Sequence, residues 1–406
     1  MKLIGIVKKQ HLQLLLTALL LLIVSVFFAA QPVHRATVIT CATLLWVIGL
    51  LFLPRYLKDK YYDKNELIIY VAGAVTFFIC LSSWLNSSYF DGSLKIIEPD
   101  LRFLLFPLTV IAIRYSGLTF RHLAIALFLA SLSYIYITYT SHTGRVSGDE
   151  NAVTFGNGAM LLVVVSSCLA FFEKNKILKV LLTISAIGYF YASFRSGTRG
   201  SFVAFVPLTL LFFYFMTNKM RIGLALLIII GVATLSQTPI GERLIKSGGN
   251  FISYFDKGEV GNNTGIRLHM WEAALCFNQE APLLGKGPHQ YKNSILDENR
   301  VCDIILINGK GYYDQAHSFY FNSLATIGWL GLSSMMIFFF LLGKYSWSLP
   351  LVAKVTIPAT LLTFLSYSIT VDLLFHRYMA DKHLTLLAIL FALALNHRQK
   401  KQLSTA

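Results

Sequence analysis

The chain has 406 residues, of which 55% are hydrophobic and only 14% charged, and its formal net charge is +15. With a mean hydropathy of +0.61, this composition excludes a soluble globular protein and points to a polytopic membrane protein. The positive excess is no nucleic-acid footprint, because the basic residues fall in short clusters between apolar runs, with no basic face and no nucleic-acid motif.

In chain order, MKLIGIVKKQ and the apolar run from His11 to Ala30 have the outline of a signal peptide. The run is long enough to span a bilayer and no small-residue cleavage site follows it, so it is expected to be the first transmembrane helix. Apolar windows of ~20 residues predict about twelve spans. They centre near residues 20, 45, 75, 108, 130, 162, 186, 208, 229, 330, 362 and 389. Every second short loop is basic, from Lys8 and Lys9 through Arg55, Lys58 and Lys60, Lys174, Lys176 and Lys179, to Arg398, Lys400 and Lys401. The alternate loops hold fewer positive residues, among them Arg35, Lys95, Arg102, Arg145, Arg195, Arg199, Arg377 and Lys382. The positive-inside rule then puts both termini in the cytoplasm.

One long polar interval, Pro239 to His317, breaks the apolar pattern and falls on the outer side. Roughly eighty residues exceed what a connector needs. The chain is therefore expected to be all-α, with helices one to nine over residues 1–238, a partly helical outer loop over 239–316, and helices ten to twelve with a cytoplasmic tail over 317–406. Trp271, Phe277, Tyr291 and Tyr312 give the loop an apolar content that disorder would lack. Thr264–Phe277 reads as an amphipathic helix with Thr264 as a possible N-cap. Pro282, Gly285, Gly287 and Pro288 then mark a tight loop. Of the five cysteines, Cys41, Cys80 and Cys168 lie in apolar runs, while Cys276 and Cys302 lie in the loop. The sequence leaves both a Cys276–Cys302 disulfide and two free thiols open.

Outer-side charges are informative because topology selects against them. Arg199 sits in FRSGTRGSF, where small neighbours let a ligand approach the backbone. The alternative is an interfacial arginine reaching lipid headgroups, and it applies equally to Arg195. Arg267 lies on the loop helix, where a solvated face or an ion pair with Glu272 or Asp256 competes with a functional role. His317 stands where the loop re-enters the membrane. Arg145, in the polar loop GRVSGDEN, is placed to touch a sugar, or the loop is a plain turn. Asp372, in VDLLFHRYMADKH, is an intramembrane acid and hence a candidate, with an internal ion pair to its neighbours as the alternative. GKGP lacks the lysine, hydroxyl residue and strand context of a Walker loop.

Taken together, Arg199, Arg267 and His317 form a set that suits one chemistry. Guanidinium groups bind phosphate oxygens through paired hydrogen bonds and stay charged, and an imidazole can take a proton from a hydroxyl. Such a set suits displacement of a diphosphate leaving group by an alcohol, with arginines supplying the neutralisation that metals supply elsewhere. No carboxylate cluster suited to Mg²⁺ is present, so neither a metal nor a cofactor is expected.

Four motifs occur in order: SGTRGSF, R-x3-W-x2-A in IRLHMWEAA, P-x2-G-x-G in PLLGKGP, and H-S-x9-G-x2-G beginning at His317. The set, over roughly residues 190–335, resembles the bacterial O-antigen ligase/polymerase superfamily, multi-span glycosyltransferases of the GT-C kind. The resemblance implies transfer of a glycan from undecaprenyl diphosphate to the outer core of lipid A–core, on the periplasmic face of the inner membrane, with inversion and without metal. By motif position, Arg199 and Arg267 would hold the diphosphate and His317 would activate the acceptor hydroxyl. Arg195, Arg145, Asp372, Gly285 and Gly287 would contribute to substrate binding, Asp372 by a looser correspondence. Ser318 stands where the family often has asparagine. The partners implied are the lipid-linked donor, the lipid A–core acceptor and membrane lipid. A polymerase of the same superfamily is the nearest alternative. A lipid-linked glycan transporter is a more distant one, and the paired half-structures it calls for are not seen.

Overall fold

The computed structural model describes residues 2–31, 34–59, 64–90, 92–141, 144–148, 151–237, 239–296, 314–372, 374 and 377–405. Its helices, in order, are α1 (Lys2–Ala30), α2 (Arg35–Asp59), α3 (Lys64–Leu85), α4 (Leu101–Tyr115), α5 (Phe120–Thr140), α6 (Ala152–Phe172), α7 (Lys176–Arg195) and α8 (Gly200–Val203). There follow α9 (Phe205–Phe215), α10 (Asn218–Ser236), α11 (Pro239–Lys257), α12 (Asn263–Glu280), α13 (Tyr291–Leu296), α14 (Phe319–Ser346), α15 (Leu351–Tyr367) and α16 (Arg377–Thr405). No strand occurs among the described residues, so the chain is an all-α polytopic membrane protein.

Each of the twelve predicted span centres falls on a helix. By length and composition, 7 helices among the described residues are able to cross a membrane. Helix α4, at 15 residues, rises only about 22 Å, short of a hydrocarbon core of about 30 Å. Gln13–Ala29, Gly200–Phe215 and Leu351–Tyr367 are also shorter apolar helices.

The innermost helix is the last one, since the apolar part of α16 is buried continuously from Tyr378 to Leu395. Peripheral α7 instead shows Ile177, Val180, Ile184 and Ile187 at helical spacing on its outward side, a stripe that a bilayer covers. Two buried ion pairs tie the bundle together. Arg102 on α4 meets Asp381 on α16 at 2.8 Å with 2% and 0% exposure, and the Arg102 guanidinium also lies over the Trp46 ring. Arg114 meets Glu66 at 2.8 Å. Removing either partner would strand a charge in the interior, typically a loss of about 3–5 kcal/mol. Arg102 and Lys382, which the sequence groups with loop positives, are thus interior residues, at 2% and 1% exposure.

The long polar interval is more helical than its sequence suggests. It opens with α11, which carries exposed Ile245, Ile252 and Phe255 along one side. Helix α12 is capped two positions before the expected Thr264. The Asn262 side chain, two residues ahead of Thr264, accepts from the N–H groups of Thr264 (3.1 Å) and Gly265 (2.8 Å), satisfying two of the first-turn donors. Cys276 on α12 is disulfide-bonded; Cys302, the partner the sequence left open for it, lies outside the described residues.

The PLLGKGP loop docks into a break in α14. Gly328 leaves helical geometry there (φ 65°, ψ −169°), which frees backbone groups that the loop satisfies. Trp329 N–H donates to Pro282 O (2.9 Å), Lys286 N–H to Ala325 O (2.9 Å) and Gly287 N–H to Thr326 O (2.8 Å). Serines of the α3 end close the joint, Ser83 on Leu284 O and Ser87 on Lys286 O.

Candidate active site

Arg199 is delivered by a turn built almost wholly of small residues. Gly197 takes a left-handed φ of 62°, which favours glycine. Around it the Ser196 hydroxyl donates to Thr198 Oγ1 (2.8 Å), Thr198 Oγ1 to Ala152 O (2.7 Å), and Ser201 Oγ back to Thr198 O (2.8 Å). The turn lies so close to α6 that a Cβ on Gly156 would collide with Ser196 and Thr198, and one on Gly200 would collide with Thr370. The SGTRGS spacing therefore fits the backbone into a narrow slot and leaves its one long side chain, Arg199, to reach outward. That guanidinium donates to Ser247 Oγ on α11.

Arg267 comes from the second turn of α12. Glu272, one of the two acids expected to neutralise it, turns to His269 at 3.8 Å instead, and no ion pair of Arg267 occurs among the described residues. His317 precedes α14 and adopts φ 50°. The left-handed region costs a non-glycine residue on the order of 1–3 kcal/mol, so the surrounding structure must hold it there.

These three residues line one cavity of about 780 Å³, together with Arg145, Lys246, Asn250, Asn262 and Thr370. Charge inside it is strongly positive. Burial and the neighbouring Arg199 both lower the Arg267 pKa, the second because two guanidinium groups repel; an anion held between them removes that penalty. Burial lowers the His317 pKa most, Arg267 pushes it the same way, and Asp314 opposes. The imidazole is therefore neutral near pH 7 and able to accept a proton. Chemically, the chamber can hold a multiply charged phosphate group beside a general base.

The remaining sequence candidates divide. Arg145 lines the cavity while its Nε donates to Ser196 O (2.7 Å), so it also braces the Arg199 turn. Arg195 ends α7 half-buried, off the cavity wall, where the negative end of the helix suits it. Gly285 and Gly287 are not cavity residues. Gly285 packs on the Thr326–Ile327 backbone and Gly287 on Ser87, so their smallness serves the α14 joint. Asp372 is buried and off the cavity wall, accepting from Asn322 Nδ2 at 2.7 Å. Lys246 and Asn250 were not singled out by sequence; their signal is the amphipathic period of α11, which brings residues 246, 247 and 250 onto one face.

A helical bundle able to span a membrane, with a cationic chamber built partly from an inter-span segment, defines a polytopic membrane protein equipped to handle anionic substrates at one end. Residues 180–340, less than half of the chain, match the family model described as O-antigen ligase, which supports membership of the O-antigen ligase superfamily. That span contains all four motifs and Arg199, Arg267 and His317. Over 302 residues the chain is also 26% identical to an uncharacterized protein of Haemophilus influenzae, covering 70% of this chain and 73% of that one.

Proposed function

We propose that the cavity is the active site of an O-antigen ligase: an inverting, metal-independent transfer of O-antigen from undecaprenyl diphosphate to the outer core of lipid A–core, at the periplasmic face of the bacterial inner membrane. One observation carries this reading. Arg199, Arg267 and His317, brought from three separate stretches of chain, line a single chamber. The family match supports a lipid-linked polysaccharide as the substrate class.

Arg199 and Arg267 take the diphosphate oxygens, and Lys246 adds a third cation. As the bond from the anomeric carbon to the diphosphate oxygen breaks, the electron pair leaves with the diphosphate, and the guanidinium groups stabilise the charge that develops. The acceptor hydroxyl oxygen attacks the opposite face of that carbon and its proton passes to His317 Nδ1 or Nε2. Helix α11 roofs the chamber through Ser247 and Asn250, which orients the donor and limits water that would hydrolyse it.

The test is transfer by the purified full chain, supplied with lipid-linked glycan and lipid A–core, with and without EDTA. Product formed in EDTA supports the reading; activity lost in EDTA and restored by Mg²⁺ counts against the arginine account. A deletion strain separates ligase from polymerase. Loss of a ligase leaves core without O-antigen, whereas loss of a polymerase leaves core capped by one repeat.

A further inference from the structure

The geometry around His317 extends beyond the residues that face the chamber. The residue just before it, Ala316, is fully buried and gripped at both backbone polar atoms. Its N–H donates to Asn322 Oδ1 at 3.2 Å, and its C=O accepts from Trp271 Nε1 at 3.2 Å. On the other side, Phe319 N–H donates to Ser368 O at 2.9 Å. The left-handed turn at His317 is thus pinned before and after the residue.

The two grips on Ala316 are themselves fixed. The Asn322 amide cannot reverse without loss, because its Nδ2 donates to Asp372 Oδ2 at 2.7 Å, leaving Oδ1 turned to Ala316. Asp372 is in turn anchored by Leu374 N–H at 3.0 Å. The Trp271 indole is stacked on Phe321 with centroids 4.7 Å apart and planes at 13°, which sets the direction of its N–H. Trp271 also follows Arg267 by four residues on α12, so both project from one side of a single helix. One rigid turn therefore fixes the distance between a guanidinium of the chamber and the peptide that carries the imidazole.

We infer that Trp271, Asn322 and Asp372 are positioning residues: through the Ala316 peptide they hold His317 in its left-handed turn on the chamber wall, at a set distance from Arg267. This rests on His317 acting as the base in the reading above. It gives R-x3-W a physical purpose and accounts for Asp372 without substrate contact.

Two single variants and one exchange test it in the full chain. Trp271→Phe keeps the ring on Phe321 and removes only the N–H. Asn322→Asp keeps an acceptor for Ala316 but sets two carboxylates against each other. Adding Asp372→Asn to it restores a donor–acceptor pair with the polarity reversed. Each single variant is expected to lower kcat roughly tenfold or more at unchanged donor KM, as misplacement of a reacting group does. The exchange is expected to recover most of that loss.

A readout independent of transfer is the rate at which diethyl pyrocarbonate modifies His317, followed by peptide mass spectrometry. It is expected to rise severalfold in both single variants, as the ring leaves its half-buried place, and to fall back in the exchange. Single variants with wild-type kcat, or with kcat lost while the His317 modification rate stays at wild type, overturn the inference. Should His317→Ala transfer glycan normally, the base assignment fails instead, and the modification rates still decide whether these three residues hold His317.

Discussion

The pKa of His317 is held down first by burial and then by the Arg267 charge, so the imidazole is neutral where it has to take a proton. As pH falls through that depressed value the ring protonates and transfer should stop. The acid limb of kcat is therefore expected below about 6.5, the ordinary histidine value; a limb above it would contradict the neutral-base role. Arg199→Ala and Arg267→Ala should each reduce kcat by about 10²–10³-fold, as removal of one charge-stabilising group does, and His317→Ala by about 10²–10⁴-fold. Thermal unfolding of each variant, measured alongside transfer, separates lost chemistry from lost fold. These three residues were legible in the sequence because positive charge outside the membrane needs a reason and small neighbours marked Arg199 as one to examine. Lys246 was not legible. It lies at the opening of the long polar interval, and the helical period that brings Lys246, Ser247 and Asn250 to one wall belongs to α11 as a whole.

Glycine at the motif positions works at the level of elements. Gly285 and Gly287 read as part of a tight loop, with a share in substrate binding implied by the resemblance, yet what comes close to them is another part of the same chain. Sequence shows that a position must be small and not what presses on it, because the pressing atoms are distant in the chain, Thr326 and Ile327 for Gly285 and Ser87 for Gly287. Gly328 carries this furthest. Its φ and ψ lie in a region almost closed to side chains, and a Cβ there would strike the Leu283 backbone. Gly328→Ala should destabilise by at least about 1–3 kcal/mol and lower the unfolding temperature of the purified protein. Gly248, on α11 with nothing near its missing Cβ, is the control. Gly248→Ala should be neutral or gain up to about 1 kcal/mol, since alanine is the better helix former. If both behave alike, the α14 joint is not the rigid contact that these hydrogen bonds describe.

At the scale of the whole molecule, hydropathy located the helices well because a bilayer demands long apolar runs. It was less able to say which side of the bundle a charge belongs to. Arg102 and Lys382 looked like loop positives and are interior, and Arg102 is neutralised by Asp381, a partner 279 residues away that no local pattern reveals. Orientation is therefore better tested than read. The cavity is built at the end of the bundle where α7, α10 and α15 finish, while the turn after α6 and the N-terminus of α15 lie at the other end. Arg121, Lys174 and Arg398 line a second cavity at that other end, as the positive-inside rule would have it for a cytoplasmic face. Lys257 and Lys176 are both exposed and lie at opposite ends, and the native cysteines Cys41, Cys80 and Cys168 are buried. In intact spheroplasts a membrane-impermeant maleimide should label Lys257→Cys at once and Lys176→Cys only after lysis. The reverse order would put the cationic chamber in the cytoplasm, where a periplasmic ligation could not occur. Labelling of both from one side would break the alternation of ends on which the span assignment depends.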